Sequence, residues 1–402
     1  MKKFLIPLAW ICMGAPGFSQ PKPMNIIYIL SDDHRYDFMG FMKAVPGLET
    51  PGMDKMAKEG MHVKNAFVTT ALCSPSRASI LTGQYAHTHT VVDNSAPLPN
   101  NLTFFPQYLQ QKGYKTAFMG KWHMGNTGDN PQPGFDHWVS FEGQGKYMGN
   151  TLNVDGRREK MDQDNYITDE LTSRAIKWLD GVKSKPFFMY LSHKGVHAEF
   201  MPAKRHQGKY KDLPIMSPPS MYLTVTDSSK QFGVVTPPQT PVNYKDIPRW
   251  VREQRYSWHG VDYMYHGQIP FDEFYHLYLE TLLSVDESIS SVLKWVEDNG
   301  LKENTMVVYM GDNGFLFGEH GLIDKRNAYE ESMKVPLLVW APGMVKPNSV
   351  MPQMILNIDL APTFLDLAGM AKPAQMQGQS FLPLLKGQST AWRDRIFYEY
   401  YW

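Results

Sequence analysis

Short apolar runs alternate with helical patterns along this sequence, and the alternation limits the folds open to the chain. The runs are rich in β-branched and aromatic residues and end in polar or glycine-rich residues, as buried strands do; they span residues 25–30, 115–119, 186–192, 306–310 and 335–340. Helical patterns lie between them, at residues 105–112, 168–179, 271–299 and 359–368. The order predicts an α/β fold with a mostly parallel central sheet flanked by helices.

Polar clusters follow three of these predicted strands, at residues 31–34, 120–123 and 311–314. The functional residues of a doubly wound sheet collect at the carboxyl ends of its strands, so we expect these distant segments to converge on one pocket. Residues 201–270 are rich in Pro, Tyr, Met and Trp and show no clear periodicity. They are too long for a plain connection and are predicted to form a substrate-facing insertion.

Length and charge bound the class of protein. A chain of 402 residues is long enough to build a deep active site that excludes water. Its 40 basic and 40 acidic side chains cancel, which argues against general attraction to nucleic acid or to an anionic membrane. Two lysines, an apolar run and small residues make residues 1–20 a predicted signal peptide, so we expect a periplasmic or secreted protein. No later run reaches the roughly 20 apolar residues of a membrane span.

Cleavage of that signal would leave residues 21–402 as one catalytic domain in which Cys73 is the remaining cysteine, because Cys12 lies in the signal. An intramolecular disulfide is then excluded. Most isolated cysteines are small buried hydrophobic residues, so the neighbours of Cys73 decide whether it is reactive.

Those neighbours, in the run CSPSRASILTG at residues 73–83, resemble the signature of the formylglycine-dependent type I sulfatases. In that family the cysteine of Cys-x-Pro-x-Arg is oxidised to formylglycine. The Asp-Asp pair at 32–33, the Gly-Lys-Trp-His turn at 120–123 and the Asp-Asn-Gly run at 312–314 match the same family in the same order. The resemblance implies an alkaline phosphatase-like fold and the hydrolysis of sulfate esters.

The resemblance also implies a reaction centre. Hydrated formylglycine at position 73 would offer two hydroxyls, one to attack sulfur and one to lose a proton and expel sulfate. Asp32, Asp33, Asp312 and Asn313 supply the hard oxygen ligands that calcium or magnesium prefers. The resemblance favours one calcium ion, with the modified Cys73 and the substrate sulfate completing its shell.

Five further residues take roles from the resemblance. Arg77 would hold the metal site and the formylglycine with a charge that does not titrate. Lys121 and His123 lie two residues apart, so in an extended segment both would face the sulfate or the nucleophile. His197 matches the histidine that acts near the leaving oxygen as an acid or a sulfate ligand. Lys325 matches the lysine that binds the sulfate between nucleophile and leaving group.

The sequence from residue 71 through residue 89, with residues 323–326 and 335–338, resembles the N-acetylglucosamine-6-sulfatase branch. That likeness implies a sulfated glycan substrate, such as N-acetylglucosamine-6-sulfate in a glycosaminoglycan or mucin, and a formylglycine-generating or radical maturase as partner. Residues 120–123 instead follow the wider bacterial pattern, and related sulfatases continue beyond residues 395–402 into a small sheet subdomain, which we expect this chain to lack. Two alternatives stay open: a phosphoester or phosphonate ester hydrolase of the same fold, and a non-catalytic glycan-binding relative.

Overall fold

The computed structural model describes residues 23–126, 128–222, 254, 257, 259–261 and 269–401. The predicted signal peptide and most of the predicted insertion lie outside the described residues. The strands are β1 Asn25–Ser31, β2 Met61–Phe67, β3 Lys115–Lys121, β4 His137–Phe141, β5 Thr151–Val154, β6 Arg157–Lys160, β7 Phe187–Ser192, β8 Thr305–Gly311, β9 Leu316–Phe317, β10 Ile323–Asp324, β11 Leu337–Trp340 and β12 Ser349–Leu356. The helices are α1 Pro51–Glu59, α2 Cys73–Thr82, α3 Ala86–His89, α4 Phe105–Gln111, α5 Ile167–Val182, α6 Phe271–Asp298, α7 Glu330–Met333, α8 Leu360–Leu367 and α9 Leu382–Leu385.

A ten-stranded sheet forms the centre of the described part of the chain, in the order β12-β2-β11-β8-β1-β7-β3-β4-β5-β6. Strand β1 lies in the middle and pairs in parallel with β7 on one side and β8 on the other. The predicted mostly parallel sheet is therefore confirmed, and the carboxyl ends of β1, β7, β8 and β3 meet at one edge.

Strand β11 departs from the prediction because it runs antiparallel to both of its neighbours, β8 and β2. The chain leaves β8 and enters β11 at the same edge of the sheet, where the Gly311 N–H donates to the Pro336 carbonyl oxygen at 3.3 Å. A parallel strand would need a crossover to the opposite edge, and residues 312–336 form instead the short β9–β10 hairpin and α7. This connection keeps residues 312–336 beside the carboxyl end of β8.

Helices cover both faces of the sheet, which explains why β1 is buried along its whole length and has no polar–apolar alternation from Ile26 to Leu30. Ile27 and Ile29 face a core that includes residues of α1, α5 and α6. Ile26, Tyr28 and Leu30 face the other core, with residues of α2, α4 and α8. Within the described ranges, no helix is both long and apolar enough to cross a bilayer.

Candidate active site

The carboxyl ends of β1 and β8 bring the Asp-Asp and Asp-Asn pairs together. The Asp33 N–H donates to Asp312 Oδ1 at 3.0 Å, and Asn313 Nδ2 donates to Asp33 Oδ1 at 2.6 Å. Asp32, Asp33, Asp312 and Asn313 are all fully buried. Parallel pairing of β1 with β8 thus gathers four oxygen-bearing side chains from residues 280 positions apart.

Cys73 is the first residue of α2 and lies against this acidic group. Its Sγ is 3.5 Å from Asp32 Oδ1, and one ligand atom from each of Asp32, Asp33 and Cys73 falls within 4.8 Å of the others. Burial and the neighbouring Asp32 carboxylate raise the pKa of the Cys73 thiol well above its ordinary value. A thiol held in its protonated form is a weak nucleophile, so unmodified Cys73 is poorly suited to attack a substrate.

Arg77, one turn along α2, connects three strand ends. Its Nη1 donates to the Lys121 carbonyl oxygen at 2.6 Å and to Ser192 Oγ at 2.8 Å, at the ends of β3 and β7. Its Nε donates to Asp312 Oδ2 at 3.0 Å, just beyond β8. Arg77 is 1% exposed, so its guanidinium both links these strand ends and places a buried positive charge in the cluster.

Lys121 and His123 both reach the cluster, although not by the extended geometry that their spacing predicts. Lys121 ends β3 and its Nζ contacts Asp32 Oδ2, whereas His123 has a left-handed backbone with a φ of 50°. The Ser74 hydroxyl donates to the His123 carbonyl oxygen, which fixes this turn beside the start of α2. Burial, Lys121 and Arg77 lower the pKa of His123 to about 2, so its ring is neutral at ordinary pH.

Lys325, just after β10, and His197, in the segment after β7, both lie against Asp33 of the acidic group. Lys325 Nζ donates to both Asp33 oxygens at 2.7 Å and lies 3.4 Å from Asp324 Oδ1. His197 Nε2 is 4.0 Å from Asp33 Oδ2, and burial and Lys121 lower its pKa well below the ordinary value. All of the predicted site residues therefore meet at one edge of the sheet. His193, which lies four residues before His197 in the same run, instead bonds to Ser288 Oγ through Nε2 at 3.0 Å.

The donor set fits a divalent cation. Asn313 Oδ1 is buried and has no hydrogen-bond partner among the described residues, so it remains available as a ligand. Burial raises the pKa of Asp33 to about 7, with Asp32 and Asp312 adding to this rise and Lys325 opposing it. A cation would relieve the mutual repulsion of the carboxylates, and buried carboxylate and amide oxygens are the ligands that calcium takes.

Several residues of this cluster were missed by the sequence reasoning. Ser192 accepts a hydrogen bond from Arg77 and donates one to the Lys121 carbonyl oxygen at 2.8 Å. It is the last residue of β7, so it carries the same strand-end signal that identified the other polar clusters. Lys194 lies in the same short run as His197 and is 4% exposed. His259, in the predicted insertion, contacts Asp324 Oδ2 through Nδ1 at 2.8 Å, so a described part of the insertion supports the segment of Lys325.

Comparison with known proteins places these residues in context. Residues 24–370 match the protein family described as Sulfatase. An N-acetylglucosamine-6-O-sulfatase of Bacteroides thetaiotaomicron is 33% identical over 99% of this chain and 78% of its own length. The human N-acetylglucosamine-6-sulfatase is 32% identical over 97% of this chain and 69% of its own length. A solved structure described as a complex with its substrate D-glucosamine-2-N,6-O-disulfate is 32% identical, covers 94% of this chain and 84% of that one, and superposes with a TM-score of 0.79.

Proposed function

This chain belongs to the sulfatase family and is a sulfuric ester hydrolase, and we propose that it removes sulfate from a sulfated glycan by means of the cluster around Cys73. The observation that carries the proposal is the meeting of Cys73 with Asp32 and Asp33, whose ligand atoms lie within 4.8 Å of one another. The residue proposed to become the nucleophile therefore lies beside the proposed cation site, where the negative charge of an ester can be compensated during attack.

In this proposal Cys73 is converted to formylglycine by a maturase, and its hydrate supplies the oxygen nucleophile that the thiol does not. Asp32, Asp33, Asp312 and Asn313 would hold one calcium ion, which would supply positive charge to compensate that of the sulfate oxygens. Support comes from the buried, hydrogen-bond-free Oδ1 of Asn313 among the described residues and from the oxygen-only donor set of these four side chains.

The cationic and imidazole groups then bind and orient the ester. Lys121 and Lys325 touch Asp32 and Asp33 respectively, and we propose that both ammonium groups contact the sulfate of a bound substrate. His123 and His197 are buried and kept neutral by their surroundings, so each ring can donate or accept a hydrogen bond near the nucleophile or the leaving oxygen. Arg77 holds the start of α2 against Asp312 and so keeps position 73 at the cation site.

We propose N-acetylglucosamine-6-sulfate, within a glycosaminoglycan or mucin, as the substrate. The support is the identity of about one third to relatives named as N-acetylglucosamine-6-sulfatases, sustained over nearly the whole chain. We further propose that the protein is exported, to the periplasm or the exterior, through residues 1–20.

The test is sulfate release from a panel of defined sulfated sugars, with conversion of Cys73 verified by peptide mass. We expect release from 6-sulfated N-acetylglucosamine and none by the Cys73→Ala variant, which removes the nucleophile and changes little of the packing. Phosphate and phosphonate monoesters belong in the same panel. Faster turnover of those esters would favour the phosphohydrolase alternative, and full activity of Cys73→Ala would refute the mechanism.

If fully converted protein turned over neither ester class, the non-catalytic alternative would stand. Binding of the sulfated sugar without release would then identify a glycan-binding protein.

A further inference from the structure

Lys194 is a buried cation beside the reaction centre that the proposed mechanism leaves without a role. It is 4% exposed, and its Nζ lies 4.8 Å from the ring centroid of Tyr147. Lys121 contacts Asp32 and Lys325 contacts Asp33, so each of those ammonium groups has a carboxylate partner. No carboxylate of a described residue forms an ion pair with Lys194, which distinguishes it from the other two lysines.

The backbone of Lys194 is fixed to the same strand end as the cation site. The Asp32 N–H donates to the Gly195 carbonyl oxygen at 2.9 Å, and the Val196 N–H donates to the Asp32 carbonyl oxygen at 2.7 Å. The His197 N–H donates to the Lys194 carbonyl oxygen at 2.9 Å, which closes a tight turn. Lys194 and His197 therefore lie in one short segment that cannot move independently of Asp32.

The ring beneath the ammonium is fixed as well. The Tyr147 hydroxyl donates to the His197 carbonyl oxygen at 2.7 Å, and the Tyr147 ring stacks on Tyr166 with centroids 5.6 Å apart. A cation–π contact compensates only part of the cost of burying an ammonium group. The arrangement therefore holds Lys194 in place and leaves much of its charge to be balanced by an anion.

The electrostatic surroundings agree with this assignment. Burial and Lys121 lower the pKa of Lys194 to about 8, while Asp32, Asp33 and Cys73 raise it. The ammonium is therefore within electrostatic reach of the nucleophile position and the cation site, and it carries its charge at neutral pH.

We propose that Lys194 is a further catalytic residue, whose ammonium binds oxygens of the substrate's sulfate group and is positioned for that contact by the ring of Tyr147. This inference rests on the proposed function and deepens it. Asp32 and Asp33 stabilise the ammonium only from a distance, and the sulfate monoanion would supply the direct ion pair that no described carboxylate forms with Lys194.

The first experiment compares kcat/KM of Lys194→Met with that of Lys294→Met on N-acetylglucosamine-6-sulfate. Methionine keeps the apolar stem over Tyr147 and removes the charge, so we expect kcat/KM to fall about 100-fold, the usual effect of losing one preorganised donor. Lys294 is an exposed lysine of α6 with 75% of its side chain accessible, and its variant should match the wild type. A Lys194→Met value within about threefold of the wild type would overturn the proposal.

A second pair of variants covers the case in which Lys194→Met does not fold. Tyr147→Phe keeps the ring under the ammonium and loses only the hydroxyl bond to His197, whereas Tyr147→Leu loses the ring. We expect kcat/KM of Tyr147→Leu to lie about tenfold below that of Tyr147→Phe, because only the leucine variant removes the ring that positions the Lys194 ammonium. Equal values for the two variants would contradict the positioning role.

Binding of inorganic sulfate separates this inference from the choice of substrate. Calorimetric titration of sulfate into the Cys73→Ala protein with calcium requires neither maturation nor a sugar. Adding Lys194→Met to that protein should weaken sulfate binding about tenfold or more. If no sugar in the panel is hydrolysed but this loss is seen, the proposed substrate fails and the inference stands. Unchanged sulfate binding alongside an active wild type would leave the function intact and remove Lys194 from it.

Discussion

Arg77 illustrates, at the scale of one residue, how a buried charge is tolerated. Its guanidinium lies 2.8 Å from Asp312 Oδ2 and 3.5 Å from Asp32 Oδ2 and also donates to two neutral oxygens. A lysine offers a single point charge and could not reach the ends of three strands at once. The side chain therefore fixes the strand ends and compensates the carboxylates together.

Replacing Arg77 with methionine should lower the free energy of unfolding by about 3–5 kcal/mol, the usual cost of removing one partner of a buried ion pair. Asp32 and Asp312 would keep their burial and lose their shared counter-charge. Urea denaturation monitored by circular dichroism measures the change. Arg395→Met is the matched control, because Arg395 is exposed and pairs only with its neighbour Asp394 among the described residues. A loss no larger than that of the control would show that Arg77 is not a structural centre.

Most of the residues gathered at the site could be predicted from the sequence, because the Cys-x-Pro-x-Arg run and the strand-end acids are local patterns. Ser192 ends β7 and so carries the same strand-end signal, but neither its partner nor that of Lys194 could be predicted from a local pattern. Their importance comes from contacts with Arg77 and Tyr147, residues more than 40 positions away in the sequence. Whether each gathered residue has its expected role remains a prediction that activity must test.

Between elements, β3 and β7 approach each other closely beside the site at Gly120. Its φ is 120°, and a Cβ added there would lie 1.8 Å from the Ser192 carbonyl oxygen. The next residue is Lys121, so any side chain at position 120 would separate the strands that hold Arg77 and Lys121 in contact.

Gly120→Ala should therefore destabilise the protein by at least about 2 kcal/mol more than Gly113→Ala, because overpacking adds to backbone strain. Gly113 is the matched control, since it has a φ of 91° with nothing within 4 Å of an added Cβ. Thermal unfolding of the two variants and the wild type gives the comparison. Equal losses would mean that strain alone governs both positions.

Helices α1 and α6 are joined through Asp286. The N–H groups of Gly52 and Met53, in the first turn of α1, donate to its two carboxylate oxygens at 2.9 and 2.8 Å. Burial nevertheless raises the pKa of Asp286 to about 7, with the two N–H groups opposing this rise. The native state then holds a proton that the unfolded state releases near pH 4, so this carboxyl contributes less stability as pH rises from about 4 to 7.

As pH rises from about 4 to 7, we expect the wild type to lose unfolding free energy relative to Asp286→Asn. The shift is bounded by about 4 kcal/mol, at about 1.4 kcal/mol per pKa unit. Urea denaturation of both proteins at several pH values between these limits provides the measurement, and the subtraction cancels the titration of other groups. A difference that instead moved in favour of the wild type would show that the helix N–H bonds outweigh burial.

Elements with a clear apolar period were predictable, and those without one were not. The predicted strands and helices are observed with boundaries shifted by at most three residues. Helix α2 was not predicted because all of its residues from Cys73 to Thr82 are buried and most are small or polar, so it has no amphipathic period. The direction of β11 depends on where its connection runs, which local sequence does not encode.

For the molecule as a whole, the proposed cation site is a point where separate parts of the chain meet. Its ligands come from the ends of β1 and β8, and the start of α2 lies against it. A cation bound there by the folded chain would have no comparable site in the unfolded chain, because its ligands are then far apart. Metal binding should consequently stabilise the entire sheet rather than a local loop.

Calcium should therefore raise the free energy of unfolding of the wild type by about 2.7 kcal/mol at 100 times its dissociation constant. The Asn313→Ala variant loses the buried Oδ1 that has no other partner among the described residues. If its affinity is about tenfold weaker, its rise at the same calcium concentration is about 1.4 kcal/mol. Asn153→Ala is the matched control, because that buried asparagine bonds to Gly156 and Asp129 away from the site and should leave the full rise intact. Denaturation with and without a chelator measures all three proteins. An equal rise in the wild type and Asn313→Ala would exclude Asn313 as a ligand. No rise in either protein would show that this carboxylate cluster does not bind calcium.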